Sequence, residues 1–218
     1  RQAHDALASQ VAGSVRGQVG AVTSRGRLVR LEVVSVPEVA RTQGAPALDG
    51  GTPAGLLAEL DDAETVVGLV PLAGSDRGGD GQAAPIALAT SQGVVKRVKV
   101  GDEPRNGDAW EVISLAEGDE VVWASTAADT DVIVLVASDA QLLRFQAARV
   151  RPQGRGAGGM AGISLHEGAR VVAAGRVPAD LVSEALVVTV AGARQALPGT
   201  SAGSVKVTPL DRYPAKGR

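Results

Sequence analysis

The fold is decided by the stretch Ile86-Ala-Leu-Ala-Thr-Ser-Gln-Gly93-Val-Val-Lys96-Arg97-Val98, in which an apolar run, a polar turn and a second short run follow one another. The runs are short, rich in β-branched residues and bounded by turn-forming residues, which predicts a β-hairpin. The same pattern occurs earlier at Val19–Leu31 and later at Val134–Phe145. Each copy carries a basic residue four positions after the small residue of its turn, namely Arg30, Arg97 and Arg144.

A fourth copy is stretched: it starts at Leu186, is interrupted from Gly192 to Ala202, and resumes with Gly203-Ser-Val-Lys206-Val. A second signature, an acidic or polar turn followed by paired valines, comes after each of the first three hairpins, at Leu60–Val67, Leu115–Val122 and Leu165–Val172. Copies roughly 50 residues apart, each with several strands, are typical of propeller-like arrays. We therefore expect an all-β domain with repeats at 17–72, 84–124, 132–175 and 185–218.

Composition bounds the class of protein. Hydrophobic residues make up 44% of the 218 residues, which is enough for a sizeable core, whereas aromatic residues make up only 2%. The sequence has no cysteine, so disulfides and thiolate metal sites are excluded, and this favours a reducing, cytoplasmic location. No apolar run approaches the roughly 18 residues of a membrane span, so we expect no membrane contact. The segments Thr42–Ala54 and Ala73–Pro85 are predicted loops, and Arg1–Gln10 a helical turn or incoming connection.

The charge is divided by position in the repeat. The net charge of -2 and the pI of about 5.7 argue against a nucleic-acid-binding protein when taken alone. However, 16 of the 22 basic residues and only 5 of the 24 acidic ones lie in four segments that begin at the hairpins, Arg25–Arg41, Lys96–Arg105, Arg144–Arg155 and Lys206–Arg218. A charge repeated at one point of every blade would form a stripe that suits the phosphates of duplex DNA. Alternatively, the same residues protect exposed strand edges from pairing.

Several motifs resemble one known family. Gly93-Val-Val-Lys-Arg97, the segment Val150-Arg-Pro-Gln-Gly-Arg-Gly-Ala-Gly-Gly159 leading into Met160–Leu165, and Tyr213-Pro-Ala-Lys-Gly-Arg218 are similar to the C-terminal domain of the A subunit of bacterial type IIA topoisomerases. The family comprises the A subunits of DNA gyrase and of topoisomerase IV (ParC), and the resemblance covers about Gly17 to Arg218. It implies a β-pinwheel, a propeller-like disc of four-stranded antiparallel blades that exchange strands and bend DNA around a basic rim. The chain matches about four blades and is expected to be part of a longer protein.

The resemblance also implies partners and site residues. We expect sequence-nonspecific binding of duplex DNA, in a heterotetramer that contains the remainder of the A subunit together with the ATPase B subunit, at the nucleoid in the cytoplasm. ATP and Mg²⁺ would be bound by other domains or subunits, so no cofactor is expected in this chain. The predicted DNA contacts are Arg27, Arg30, Lys96, Arg97, Lys99, Arg144, Arg149, Arg151, Arg155, Lys206 and Lys216.

The branch of the family is predicted from the linkers. The gyrase members carry the box Gln-Arg-Arg-Gly-Gly-Lys-Gly, and Gln153–Gly159 keeps four of its seven positions. This segment resembles an ordinary blade linker. The linker Arg41–Gly55 has Pro, Ala and Asp in place of basic residues, which favours topoisomerase IV. Poor basic content in the first and third linkers predicts bending more than tight wrapping.

The sequence offers little for catalysis or metal binding. His4 and His166 have no second His or Cys at ligand spacing, and Asp61-Asp62 and Asp129-Thr-Asp131 lack further oxygen ligands. The Gly154-x-Gly156-x-x-Gly159 pattern precedes a strand and so does not fit a dinucleotide site. Tyr213, considered as a nucleophile for DNA cleavage, lies beside Pro214 in a linker and has no acidic metal cluster. Trp110 and Trp123 are predicted packing residues. The competing function is a propeller-type protein-interaction module whose basic rim binds acidic partners.

Overall fold

Thirteen strands and one short helix make up the regular structure of the described residues in the computed structural model, apart from short 3-10 turns. The described residues are 8–38, 51–72, 84–101, 104, 107–191 and 204–215. The strands are β1 Gln18–Thr23, β2 Arg27–Glu32, β3 Val66–Pro71, β4 Ile86–Thr90, β5 Val94–Val98, β6 Ala109–Glu111, β7 Val121–Thr126, β8 Val132–Ala137, β9 Leu142–Gln146, β10 Met160–Ala161, β11 Val171–Val177, β12 Leu186–Ala191 and β13 Ser204–Pro209. The helix α1 spans Ala54–Leu57. The predicted all-β class is confirmed.

The first three hairpins share one register. In each of them the basic residue of the second strand pairs with the equivalent residue of the first strand: Gly20 with Arg30, Ala87 with Arg97 and Val134 with Arg144. The turns between the strands need a left-handed residue, and Gly93 provides it with a φ of +87°. A Cβ at Gly93 would also lie 2.7 Å from the carbonyl oxygen of Ile163, so the next segment of chain can pass closely over the turn.

Each of the first three hairpins is extended into a sheet by later strands. The strand orders are β3-β1-β2-β6, β10-β5-β4-β7, β11-β8-β9 and β12-β13. Strand β6 follows the second hairpin in the chain but pairs with β2 of the first, and β10 follows the third hairpin but pairs with β5 of the second. The predicted strand exchange is therefore confirmed for the first two sheets. In the described residues the third sheet has three strands and the fourth has two.

The core lies between successive sheets, because strands buried on both faces place side chains against both neighbours. Val22 and Leu28 of the first sheet pack with Ile86 and Leu88 of the second. The opposite face of the second sheet packs on the third through Ala87, Ala89, Val95, Ile133, Leu135, Leu143 and Phe145. The free face of the first sheet is covered by Ala58, Val11, Leu57 and Leu60. Leu186, Val188, Val190, Val205 and Val207 are exposed on one face of the β12–β13 hairpin.

The two edges of the sheets differ. Strands β3, β7 and β11, one from each of the first three sheets, form the inner edge, where β7 contacts both β3 and β11. The opposite side, called here the outer edge, carries β6 and β10 and the linkers that follow the hairpins, notably residues 147–159 and 210–215. Segments 42–50 and 73–83 of the two predicted loops lie outside the described residues, as do residues 1–7.

Candidate nucleic-acid interface

The outer edge displays unpaired basic side chains. Lys99, Arg149, Arg151 and Lys206 are exposed, and Arg155 is half-exposed. Lys99 follows β5, Arg149 ends the 3-10 turn Ala147–Arg149, and Lys206 lies on β13. None of these side chains forms an ion pair with a described residue. Free cationic groups of this kind are available to neutralise phosphates.

Two predicted contacts are placed elsewhere. Lys96 and Arg97 are each only 1% exposed, so the prediction that they lie exposed on the rim is wrong. Lys96 Nζ donates hydrogen bonds to the carbonyl oxygens of Arg155 and Ala157, at 2.7 and 2.6 Å. A buried charge must be satisfied internally, and here backbone carbonyls of the 147–159 linker do so. Burial lowers the pKa of Lys96 to about 8.

The Arg97 guanidinium is surrounded by acceptors. Its Nη1 donates to the carbonyl oxygens of Ala147 and Val150, at 2.9 and 3.2 Å. Its Nη2 donates to the carbonyl oxygen of Ala127 at 3.1 Å and to Asp129 Oδ1 at 2.6 Å. Since four acceptors from the same chain use both Nη groups, a phosphate has no access to this arginine.

The equivalent arginines of the other hairpins are partly buried and also bind linker carbonyls. Arg144 Nε donates to the carbonyl oxygen of Tyr213 at 2.6 Å. Arg30 Nη2 donates to that of Pro104 at 3.3 Å, and the Arg30 guanidinium lies 5.3 Å from the centre of the Trp110 ring, within cation–π range. Trp110 itself is buried in the core between the first two sheets, as predicted. These arginines therefore offer duplex DNA at most part of their charge.

Arg27 is neutralised by a buried carboxylate. Its Nε donates to Glu64 Oε1 at 3.0 Å, its Nη2 pairs with Glu64 Oε2, and the Glu64 side chain is fully buried. The Arg27 guanidinium, helped by the Thr23 hydroxyl and the Asp61 backbone N–H, lowers the pKa of Glu64 to about 2. Glu64 is therefore ionised at neutral pH, and the pair carries no net charge.

The hairpin turns make polar contacts with the second signature of their own repeat. Arg25 donates to Asp61 and to the carbonyl oxygen of Asp62, at 3.4 and 2.7 Å. In the next repeat Gln92 donates from its backbone to Asp119 at 2.9 Å. In the third, His166 Nδ1 lies 2.6 Å from Asp139 Oδ2. The contacts with Gln141 and then His166 lower the pKa of Asp139 to about 2. The turns thus use their polar groups for contacts within the chain, unlike the exposed cations of the linkers.

Arg212 is a candidate contact that the sequence analysis did not single out. It ends the 3-10 turn Leu210–Arg212, just as Arg149 ends Ala147–Arg149, and it is exposed without an ion pair to a described residue. Aligning the sequence of this linker with that of the 147–159 linker, starting at the 3-10 turn, would have identified it. Lys216 lies outside the described residues.

The described residues contain no cluster of three or more His, Cys, Asp or Glu side chains that could hold a metal ion. Asp129 and Asp131 are committed to Arg97 and Arg176, at 2.6 and 3.2 Å. Helices in this part of the chain are all too short to cross a membrane.

A known family model matches this chain. The model for the DNA gyrase C-terminal domain, a β-propeller, matches residues 21–73, 85–102, 131–178 and 199–218. The DNA gyrase A subunit of Staphylococcus epidermidis is 30% identical over 187 residues, which cover 85% of this chain and 20% of that protein. The Nocardioides protein of the same name is 32% identical over 172 residues, which cover 75% and 18%. The chain thus spans about a fifth of the length of these relatives.

Solved structures share the fold. The C-terminal domain of DNA topoisomerase IV aligns with a TM-score of 0.73 and 20% identity over 94% of this chain and 57% of that one. The E. coli ParC C-terminal domain aligns with a TM-score of 0.59 and 15% identity, over 91% of this chain and 84% of that one. The DNA gyrase A C-terminal domain aligns with a TM-score of 0.55 and 19% identity, over 80% of this chain and 52% of that one. At these identities the likeness shows the fold, and the choice of topoisomerase IV made from Arg41–Gly55 stays a prediction.

Proposed function

The chain belongs to the DNA gyrase C-terminal domain family, and we propose that its outer edge binds duplex DNA without sequence preference and bends it. In this proposal the chain is a non-catalytic part of the A subunit of a type IIA topoisomerase. ATP hydrolysis and Mg²⁺ binding belong to other domains and to an ATPase B subunit in a heterotetramer. The complete enzyme controls DNA topology in the bacterial cytoplasm.

One observation carries the proposal: exposed basic side chains without an ion pair to a described residue recur on the linkers and strand ends of the outer edge. Arg149, Arg151 and Lys99 are of this kind, whereas Arg25 and Arg27 on the turn side are paired with carboxylates. Phosphate contacts position DNA and supply sequence-independent affinity, whereas base contacts would be needed for specificity. Cations placed at intervals along the outer edge of a propeller-like array therefore favour a bent duplex.

The aromatic side chains support duplex over single-stranded DNA. Proteins that bind single strands stack bases on exposed rings. Here Trp110 and Phe145 are buried, and Trp123 and Tyr213 are half-buried. These four are all the aromatic residues of the chain. No fully exposed Trp, Tyr or Phe ring is available for stacking.

The test is the salt dependence of duplex binding by the full chain. Replacing Lys99, Arg149 and Arg151 with alanine should weaken binding and reduce the slope of log affinity against log salt by about 2 to 3. The matched control removes the same charge elsewhere, by replacing Arg16, Arg25 and Arg170, which are also exposed. This control should retain both the affinity and the slope. Bending is measured by fluorescence transfer between the ends of a short duplex.

Salt-independent affinity, or an equal loss in both triple variants, would contradict the proposal. Tighter binding of an acidic polypeptide than of duplex DNA, without bending, would favour the protein-interaction module instead.

A further inference from the structure

The side chains of Lys96 and Arg97 fasten one linker to the strand of the preceding repeat. Arg97 holds the carbonyl oxygens of Ala147 and Val150, which bracket Arg149 in the chain. The backbone adds to this attachment, because Gln153 N–H donates to the carbonyl oxygen of Arg97 at 2.8 Å and Pro152 forms a parallel bridge with Arg97. The chain from 147 to 153 is therefore fixed at both ends, with Arg149 and Arg151 exposed between the fixed points.

Lys96 fixes the next part of the same linker. Its ammonium group donates to the carbonyl oxygens of Arg155 and Ala157. Adjacent strand residues point to opposite faces of a sheet, so Arg97 holds the linker on one face of β5 and Lys96 holds it on the other. Beyond this point, Met160 and Ala161 pair with Val95 and Val94 as the exchanged strand β10. The linker thus crosses the outer edge between two side-chain attachments.

The composition of the linker makes these attachments necessary. Gly154, Gly156, Gly158 and Gly159 give the segment from 153 to 159 high conformational freedom. Ordering such a segment on DNA would cost conformational entropy at the moment of binding. A linker that is already held in place carries its cations to the phosphates without that cost.

We infer that Lys96 and Arg97 are positioning residues that hold the 147–159 linker on the outer edge, so that Arg149, Arg151 and Arg155 face the duplex. The part of this inference that concerns DNA rests on the proposed function. The same attachment recurs one repeat later, where Arg144 binds the carbonyl oxygen of Tyr213 and forms a parallel bridge with Ala215, next to the exposed Arg212. The buried cations therefore act on DNA through the exposed ones.

Two measurements on the full chain test the inference, using Lys96→Met, which retains the length and apolar packing of the side chain. The first is the rate at which trypsin cuts after Arg149 and Arg155, followed by mass spectrometry under conditions where the chain stays folded by circular dichroism. Release of the linker should raise this rate about tenfold or more, because a held segment is cut only when it opens. Lys99→Met, which removes an exposed lysine from the same stretch, should leave the rate unchanged.

The second measurement is a double-mutant cycle with a linear duplex. Lys96→Met should weaken binding about fivefold to tenfold in the original chain, but less than twofold when Arg149, Arg151 and Arg155 are already alanine. A direct phosphate contact would instead give the same loss in both backgrounds. Lys96→Arg, which keeps the donors, should restore most of the affinity and the resistance to trypsin. If Lys96→Met does not fold, Arg97→Lys, which keeps the charge but fewer donors, replaces it in both measurements.

The outcomes separate the two proposals. If the original chain does not bind duplex DNA, the proposed function fails, and faster cutting of Lys96→Met still supports the attachment of the linker. If the chain binds DNA but Lys96→Met changes neither the cutting rate nor the affinity, the positioning role is overturned. Equal losses of affinity in the two backgrounds also overturn it.

Discussion

The Arg27 guanidinium covers the carboxylate of Glu64, which has no solvent exposure of its own, and donates to both of its oxygens. The pair joins the start of β2 to the acidic turn that precedes β3, 37 residues later. Because the acceptor is buried and ionised, Arg27 serves the first sheet and not the outer edge. Removing either partner leaves a charge without its counter-charge in a partly dry site.

Glu64→Gln should destabilise the protein. The amide keeps the shape of the side chain but leaves Arg27 without its buried counter-charge, with only the exposed Asp61 at 3.7 Å. We expect a loss of about 2 kcal/mol in the free energy of unfolding near neutral pH. The pKa of Glu64 is lowered to about 2 from an ordinary value of 4.5. Its stabilising contribution is therefore full above about pH 4.5 and is lost as the pH falls toward 2. Urea unfolding at several pH values measures the difference between the two proteins.

The control for that experiment is Glu59→Gln. Glu59 is exposed, lies in the same segment, and forms no side-chain hydrogen bond with a described residue. Its substitution should change the unfolding free energy by less than about 0.5 kcal/mol. If the difference in unfolding free energy between the original protein and Glu64→Gln stayed constant as the pH fell toward 2, the carboxylate would not be coupled to Arg27.

Gly68→Ala should be among the most damaging single-methyl changes in the chain. Gly68 is buried where β3 meets β7, and a Cβ there would overlap the carbonyl group of Ala124 and lie 3.2 Å from its Cβ. The backbones of β3 and β7 cannot move apart without disturbing the inner edge, so we expect the free energy of unfolding to fall by about 3 kcal/mol or more. Gly175→Ala in β11 is the matched control, since open space surrounds that position. Its thermal unfolding should match the original protein, and equal losses at both glycines would contradict close packing at the inner edge.

The fold could be predicted because its determinants are local. Short β-branched runs, turns closed by Gly26 and Gly93, and a period near 50 residues together specify repeated hairpins. Strand exchange could be predicted only from the family resemblance. Nothing in the two residues Met160-Ala161 indicates that they pair with Val94 and Val95 of the previous repeat, because such a pairing depends on tertiary structure.

The candidate interface could be predicted only in outline. Counting charges by repeat placed the basic residues in the hairpins and linkers, but the burial of individual cations was missed. Lys96 and Arg97 interrupt an otherwise apolar strand, which is compatible with a solvent-facing edge or with two buried faces. The acceptors that decide between these lie about fifty to sixty residues away, at Ala147, Arg155 and Ala157. Sequence periodicity carries no information on such distant backbone carbonyls.

The buried ammonium group of Lys96 should make stability depend on alkaline pH. Burial lowers its pKa to about 8, whereas the unfolded chain keeps the proton up to the ordinary value of 10.5. Between these two pH values the unfolded state binds more protons than the folded state, so the free energy of unfolding rises with pH. This gain is lost as the pH falls back through about 8. Relative to Lys96→Met, the original protein should gain up to about 3 kcal/mol across the window. Urea unfolding measures the gain.

Lys99→Met provides the comparison, because its lysine is exposed and close in sequence. Its unfolding free energy should follow that of the original protein at each pH. If the Lys96→Met and original curves ran parallel from neutral to alkaline pH, the lysine would have the same proton affinity in the folded and unfolded chains.

Arg149 and Arg212 should contribute equally to duplex binding. Each ends a 3-10 turn, and each precedes a residue whose carbonyl oxygen is bound by an arginine of the preceding repeat. Either arginine replaced by alanine should reduce the salt slope by about 0.9. Ser35 ends the equivalent turn of the first linker and is exposed. Ser35→Arg should therefore raise the slope by a similar amount, whereas Ser35→Gln, its uncharged control, should not. Fluorescence anisotropy over a salt series measures all four variants, and a Ser35→Arg protein that bound no better than Ser35→Gln would show that the first linker does not reach the duplex.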